Sequence, residues 1–180
     1  LSTMDEELTR IEKMTERLLK LARLELEEPI QEPETFEITS VIAERVKRWR
    51  QVHRELEIVY DAPETELEFR SYKADLEELL DILLDNAGKY TDEGGQIFVK
   101  LRGTPHRIRI VVRDTGQGIP AADLPFIFDR FYRVKRQRKK TGSGLGLSIA
   151  KELVKKMGGT LEIKSQLGKG TAVIISFPRF

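Results

Sequence analysis

Gly142-Ser-Gly-Leu-Gly-Leu-Ser148 runs straight into a helical pattern that continues to Met157. A second glycine-rich stretch, Asp114-Thr-Gly-Gln-Gly-Ile-Pro120, stands upstream of it. Between the two lie Arg130, Arg133, Lys135, Arg136, Arg138, Lys139 and Lys140. Glycines let backbone N–H groups close on an oxyanion, and a helix N-terminus adds a favourable dipole. Cations between such loops can neutralise phosphate, so the layout is that of a nucleotide site. Neither common nucleotide fold fits it. The pattern GxxxxGK[ST] is absent, and the Rossmann pattern should follow a buried strand, whereas Gly142–Gly146 follows a charged loop.

Outward from these loops, the chain alternates between helix and strand patterns. Residues 2–28 read as one long amphipathic helix with Leu1, Met4, Leu8, Ile11, Leu18 and Ala22 at 3/4 spacing and Thr15 as the polar exception. Met14, Leu19, Leu21 and Leu26 widen the stripe, which needs another helix or another chain to cover it. Pro29 stops the helix, and 29–34 is the expected linker. From 35 to 180 the pattern predicts strands at Thr35–Thr39, Leu56–Tyr60 and Leu67–Arg70, and helices at Ser40–His53, Lys73–Tyr90 and Gly144–Met157. Hairpins are expected from Gln96–Arg102 with Arg107–Arg113, and from Thr160–Ser165 with Thr171–Phe177. The sum is an α+β two-layer sandwich, helices on one sheet face, preceded by a long N-terminal helix.

Composition narrows the function classes. The 180 residues are 39% hydrophobic, enough for a packed core. No apolar run approaches the roughly 20 residues that span a bilayer, and no signal peptide is visible. The chain has no cysteine, which excludes disulfides and thiolate metal sites and fits a cytoplasmic setting. Net charge is +1, so there is no global electrostatic case for nucleic acid. The charge is uneven, however: residues 129–140 hold seven basic side chains and one acidic.

Three further positions carry chemistry. Asn86 sits late on the helix 73–90 among apolar neighbours, where asparagine lowers helix propensity. It reads either as a helix-end cap or as an oxygen ligand for Mg²⁺, which takes hard oxygens together with water and phosphate. Lys89 can meet phosphate as a point charge, and Tyr90 can lie against a base or ribose; taken alone, they read as a surface lysine and a half-buried tyrosine. Asp114 ends a strand, where aspartate commonly starts a turn. Facing a cleft, its carboxylate could accept a hydrogen bond from an exocyclic amine and so select adenine over guanine.

Taken together, these stretches resemble the nucleotide-binding boxes of sensor histidine kinases. Leu83-Leu-Asp-Asn-Ala-Gly-Lys-Tyr-Thr91 resembles the N box, and Asp114–Pro120 the G1 box. Phe128-Asp-Arg-Phe-Tyr-Arg133 resembles the F box, and Gly142–Ser148 the G2 box, in the family's order and spacing. Gly168-Lys-Gly-Thr-Ala-Val-Ile-Ile-Ser-Phe-Pro178 resembles the family's last hairpin, so coverage runs from about 36 to 178. The resemblance implies a Bergerat ATP-binding fold over 35–180 and ATP with Mg²⁺ as ligands. It implies that Asn86 holds the metal, that Lys89 and Arg130 meet phosphate, that Tyr90 packs near adenine, and that Asp114 bonds the adenine amino group. Gly116 and Gly118 would let the chain pass the nucleotide, with Ile119 and Phe131 beside it. Residues 121–141 would form a mobile ATP lid. Gly142, Ser143, Gly144, Leu145 and Gly146 would present backbone N–H groups to the phosphates. Residues 1–28 resemble the second helix of the family's dimerisation and phosphotransfer hairpin, which implies a homodimer in the intact kinase.

Two departures refine the expected activity. The family's acceptor histidine precedes an acidic residue, with a proline a few positions on. His53 precedes Arg54 and His106 lies in a turn beside Pro105, so both are expected at the surface and neither as acceptor. The acceptor, on a missing preceding helix, and a response regulator then become partners. The second departure is Ile82, one turn before Asn86, where related gyrase, MutL and chaperone ATPases place a glutamate base. Isoleucine cannot take a proton, and Asp81 and Asp85 should rotate about 100° off that face. Phosphoryl transfer to a histidine is therefore expected, rather than hydrolysis by an ATPase clamp or a purely binding module.

Overall fold

A computed structural model of the chain describes residues 2–26, 32–134 and 142–179, the side chains of 2–7, 10 and 25 excepted. Leu1, the side chain of Met4, Pro29 and the basic run 135–140 therefore lie outside the described residues. Helix α1 spans Ser2–Glu25, strand β1 Glu34–Glu37, helix α2 Ile38–Val52, and strands β2 and β3 Glu57–Asp61 and Glu68–Ser71. Helix α3 (Lys73–Tyr90) leads into strands β4 (Gln96–Thr104) and β5 (Arg107–Asp114). A 3-10 turn at Leu124–Phe126 precedes α4 (Gly146–Lys156), β6 (Thr160–Gln166) and β7 (Gly170–Pro178). No described helix is long and apolar enough to cross a membrane.

Strand alternation builds the two layers. On β4 and β5, Ile97, Val99, Leu101, Ile108, Ile110 and Val112 are buried, while Lys100, Arg102, Arg109 and Arg113 face out. The sheet order is β2-β4-β5-β7-β6, antiparallel except for the parallel β2–β4 pair. The buried face meets α3 through Leu76, Leu79, Leu80, Leu83 and Leu84, which recur at helical spacing. Both expected hairpins form, and α3 has the predicted bounds. The expected strand Leu56–Tyr60 forms as β2, but its partner is not its sequence neighbour. It runs parallel to β4, with α3 in the crossover, a pairing set by tertiary packing that local pattern does not carry. The strands β1 and β3 form a separate two-stranded ribbon, with Phe36 edge-on to Phe69 at 5.8 Å.

Helix α2 starts two residues earlier than its apolar spacing indicates, at Ile38 instead of Ser40, because Glu37 caps it. The Glu37 carboxylate accepts from Thr39 N at 2.8 Å, Ser40 N at 2.6 Å and Leu67 N at 3.3 Å. Burial opposes its ionisation, but the bonds from Ser40 and Thr39 outweigh this and bring the carboxyl down to about 2. Glu37→Gln is expected to lower stability by about 1 kcal/mol at neutral pH. A depressed acid stabilises above its ordinary value of 4.5 and loses that contribution as pH falls towards about 2. Urea midpoints of the two chains should therefore converge through that window; a gap independent of pH would contradict the capping role.

The N-terminal stripe divides in two. Leu21 is buried, with Met14, Leu18 and Leu24 packed beside it against the domain core, and α1 lies along α4. Burying Leu21 contributes roughly 1.5–3 kcal/mol to that docking. Lys20 pairs with Glu78 on α3 and adds a polar tether. Leu8, Ile11, Leu19 and Leu26 lie on another side of the helix and stay exposed. The widened stripe read from the sequence is thus two faces: one docks onto the same chain and the other is open.

Candidate nucleotide-binding site

A cleft of about 1190 Å³ opens between α3, the sheet, the loop after β5 and the N-terminus of α4. That volume exceeds the ordinary range for a drug-sized ligand, so a nucleoside triphosphate has room. Asn86, Lys89 and Tyr90 reach it from α3 and Asp114 from the end of β5. Gly118 and Ile119 reach it from the first glycine loop, and Gly142, Gly144 and Gly146 from the second. Other residues of the two motifs stand back from the wall: Gly116, Ser143 and Leu145, and the F-box pair Arg130 and Phe131, do not line it. Arg130 is exposed, and Arg133 lines the cleft in its place.

Asp114 is held for a polar partner. It is buried, and its Oδ1 accepts from Gly116 N at 2.8 Å and Thr171 N at 3.2 Å. Burial raises its pKa against those two bonds, which lower it. A buried carboxylate with one oxygen committed to backbone donors still has acceptor capacity on the other. Val112, Ile163 and Val173 line the adjoining apolar wall, as a base would require. Thr171, with Ile163 and Val173, belongs to the last hairpin. Its part in holding Asp114 depends on the β5–β7 register, which local spacing does not disclose.

The first glycine loop is pinned by protein as much as shaped for ligand. A methyl group at Gly116 would drive into the Tyr90 carbonyl oxygen. Gln117 N bonds that same oxygen at 3.0 Å, Ile119 N bonds Ser165 Oγ at 2.7 Å, and Gly168 N bonds Gln117 O at 2.7 Å. The need for glycine at 116 thus has a packing cause independent of any nucleotide. Burial also raises the Tyr90 phenol's pKa, and the neighbouring Arg133 opposes that shift.

Around the second loop, Gly144 has φ +74°, and a Cβ there would lie 2.7 Å from the Phe131 carbonyl carbon. Phe131 itself has φ 63°, a strained conformation for an aromatic residue, and its N–H bonds Gly144 O at 3.0 Å. The F box is thereby fastened to the second glycine loop, with Phe131 acting as a structural clasp. Ile127 and Val134 are buried, so the described part of the expected mobile segment, 121–134, has apolar anchors in the domain; 135–141 lie outside the described residues.

Among the described residues no side chain caps the N-terminus of α4, and a Cβ at its first residue, Gly146, would stand 3.8 Å from Asn86 Nδ2 and 3.9 Å from its Oδ1. Uncapped N–H groups and the helix dipole thus meet the Asn86 amide at one place, a suitable seat for phosphate. Asn86 Nδ2 is buried and has no hydrogen-bond partner among the described residues. An amide left incomplete beside a phosphate seat fits a hydrated magnesium–phosphate group, which supplies both acceptor oxygens and a cation. Among the described residues no cluster of three acidic, histidine or cysteine side chains exists, so water and phosphate would supply the metal's other ligands.

Ile82 lines the cleft one turn before Asn86. Asp81 and Asp85, expected off that face, border the wider cleft as well, but each is engaged. Asp81 accepts from Trp49 Nε1 at 3.0 Å and Arg45 at 3.2 Å, and Asp85 pairs with Lys89. His53 is half-buried instead of fully at the surface. It stacks on Trp49 at 4.9 Å and meets Glu55 at 2.9 Å, while His106 is exposed as expected.

Residues 72–180 match the family described as histidine kinase-, DNA gyrase B-, and HSP90-like ATPase. The chain is 38% identical over 174 residues to the signal transduction histidine-protein kinase ArlS of Staphylococcus aureus (strain USA300), covering 96% of this chain and 39% of that protein. It thus spans about two-fifths of the length of that relative. The mycobacterial sensor histidine kinase MprB is 31% identical and superposes with a TM-score of 0.70, over 81% of this chain and 97% of that one. Full-length ShkA in complex with AMPPNP shares the fold at 23% identity, with a TM-score of 0.84 over 98% of this chain and 37% of that one.

Proposed function

Because the chain belongs to the histidine kinase-, DNA gyrase B-, and HSP90-like ATPase family and carries the catalytic ATPase domain of a sensor histidine kinase, we propose that it binds Mg²⁺-ATP and presents the γ-phosphoryl group to a histidine. That histidine lies on a phosphotransfer helix of the intact kinase, and a response-regulator aspartate then receives the phosphoryl group. The observation that carries this reading is the meeting of Asp114, Asn86 and the uncapped start of α4 on one cleft. Asp114 selects the adenine amino group and Tyr90 covers the base. The loop 142–146 and the first turn of α4 hold the phosphates with backbone N–H groups. Asn86 holds magnesium, which when bound neutralises phosphate charge and aligns the terminal group. Lys89 adds a phosphate-facing cation, and Arg133 is better placed for a second than Arg130.

Catalysis of this kind rests on positioning and charge neutralisation, because a loose phosphoryl transition state asks little covalent chemistry of the protein. Ile82 supports transfer over hydrolysis: it offers no base to a water beside the terminal phosphate. The exposed stripe Leu8, Ile11, Leu19 and Leu26 supports a role for residues 1–28 in a helical homodimer of the intact kinase. A cytoplasmic setting follows, since ATP is the phosphoryl donor. In the test, calorimetry with a non-hydrolysable ATP analogue and Mg²⁺ should give saturable binding, and the chain should hydrolyse ATP slowly. Adding a phosphotransfer hairpin that bears the acceptor should yield acid-labile phosphohistidine. Rapid hydrolysis without an acceptor would favour the ATPase-clamp reading, and absence of binding would leave an interaction module.

A further inference from the structure

Helix α1 reaches the cleft as well as the core. Lys13, Met14 and Arg17 line the same cavity as Asn86, Gly142 and Gly146, although they come from the far end of the sequence. Arg17 Nη1 donates to Ser143 Oγ at 3.2 Å, across 126 residues of chain. Ser143 Oγ also accepts from Leu145 N at 3.4 Å, at the start of α4. A single side chain of α1 therefore holds the hydroxyl that shapes the second glycine loop. Among the described residues the Arg17 guanidinium meets this neutral hydroxyl and no carboxylate at ion-pairing distance, unlike Lys20 with Glu78 and Lys89 with Asp85. A guanidinium carries five N–H donors in a rigid fork, which suits phosphate oxygens, and Ser143 occupies one.

We propose that Arg17 is a positioning residue of the nucleotide site. It fixes the 142–146 loop through Ser143 and places an uncompensated positive charge at the phosphate end of the cleft, so that nucleotide occupancy and the docking of α1 strengthen one another. The inference rests on the nucleotide-site reading above. Its physical content is reciprocity: if docked α1 tightens phosphate binding, bound phosphate must tighten α1 by the same factor. The seat of α1 does not depend on Arg17, because Leu21 is buried in the core and Lys20 is tied to Glu78. Removing the exposed Arg17 should therefore leave the fold and the docked helix in place while uncoupling them from the ligand.

The full chain and its Arg17→Ala and Arg17→Lys variants would be titrated, with Mg²⁺ present, with a non-hydrolysable ATP analogue, ADP and adenosine. Arg17→Ala should weaken the triphosphate analogue about tenfold, as loss of one charge-assisted contact does, while adenosine changes less than about twofold. Arg17→Lys, which keeps the charge and can still reach a hydroxyl, should recover most of the loss. Amide exchange across residues 11–24 should slow on adding the analogue to the unaltered chain, and not in Arg17→Ala. Equal losses for the analogue and adenosine, unchanged affinities, no recovery with lysine, or an unchanged exchange response would each overturn the proposal. Failure of the unaltered chain to bind any of the three ligands would overturn the nucleotide-site reading itself, and this inference with it.

Discussion

Replacing Asn86 with alanine is expected to weaken Mg²⁺-dependent ATP binding by about a hundredfold, the upper end of the loss seen when a metal's supporting groups are removed. Binding of the nucleotide without metal should change by less than about threefold, since one neutral hydrogen bond contributes only about 0.5–1.5 kcal/mol. The asymmetry follows from the unpartnered buried amide of Asn86 beside the first residue of α4. If that amide serves the folded chain alone, it is a defect, and its removal should cost nothing or stabilise. If it serves a magnesium–phosphate group, its removal should spare the fold and spoil the loaded state. Calorimetry with and without Mg²⁺, beside a thermal melt of the empty chain, separates the two. Equal losses with and without metal would remove Asn86 from the metal's shell.

The absence of a base at Ile82 makes metal and backbone positioning more important. On the proposed function, isoleucine at that position offers no base to a water beside the terminal phosphate, so bound ATP should be hydrolysed slowly. The two acidic neighbours that border the cleft are held by Trp49, Arg45 and Lys89. Asp81 has both oxygens bonded, so taking a proton from an attacking water would break one of those contacts, and Asp85 already holds the Lys89 ammonium on Oδ2. On the proposed function, such a site suits a domain whose phosphoryl acceptor arrives on another helix, and transfer would then depend on when that helix docks. The link between α1 and the second glycine loop is the place where this chain could register such docking.

Much of this was legible in the sequence because the informative signals are local. The bounds of α3 follow from its leucine spacing, and both hairpins follow from alternation broken by glycine turns. Asn86, Asp114 and the glycine loops carry their chemistry in their residue types, and the fold brings nine of the fourteen expected site residues to the cleft wall. What the sequence hid depends on distant pairing. The parallel register of β2 on β4, the bond from Thr171 to Asp114 and the reach of Arg17 to Ser143 join residues far apart in the chain. Arg133 was visible as a cation but not as a wall residue, because the choice between it and Arg130 turns on how the clasp at Phe131 aims the F box. The stripe on α1 likewise read as one seam, since 3/4 spacing alone cannot say which side of a wide stripe meets its own domain.

Asp114→Asn should separate base choice from folding. Asparagine keeps an oxygen that can accept from Gly116 and Thr171, so the first glycine loop should hold its shape. The other arm changes from acceptor to donor, and a donor now faces the adenine amino group, which is also a donor. The lost bond to a charged group is worth about 1.5–3 kcal/mol, or about 10- to 150-fold in affinity for ATP. Guanine presents a carbonyl oxygen at the equivalent position, so GTP should gain relative to ATP. Stability should move the opposite way. The folded chain raises the Asp114 pKa, so the ionised carboxylate costs stability as pH rises through its folded value, and the neutral amide escapes that cost. The variant should therefore melt at or above the unaltered chain at neutral pH, with the difference shrinking in acid. An unchanged preference for ATP would remove Asp114 from base recognition, and a large loss of stability would mean that its charge, not its geometry, holds the loop.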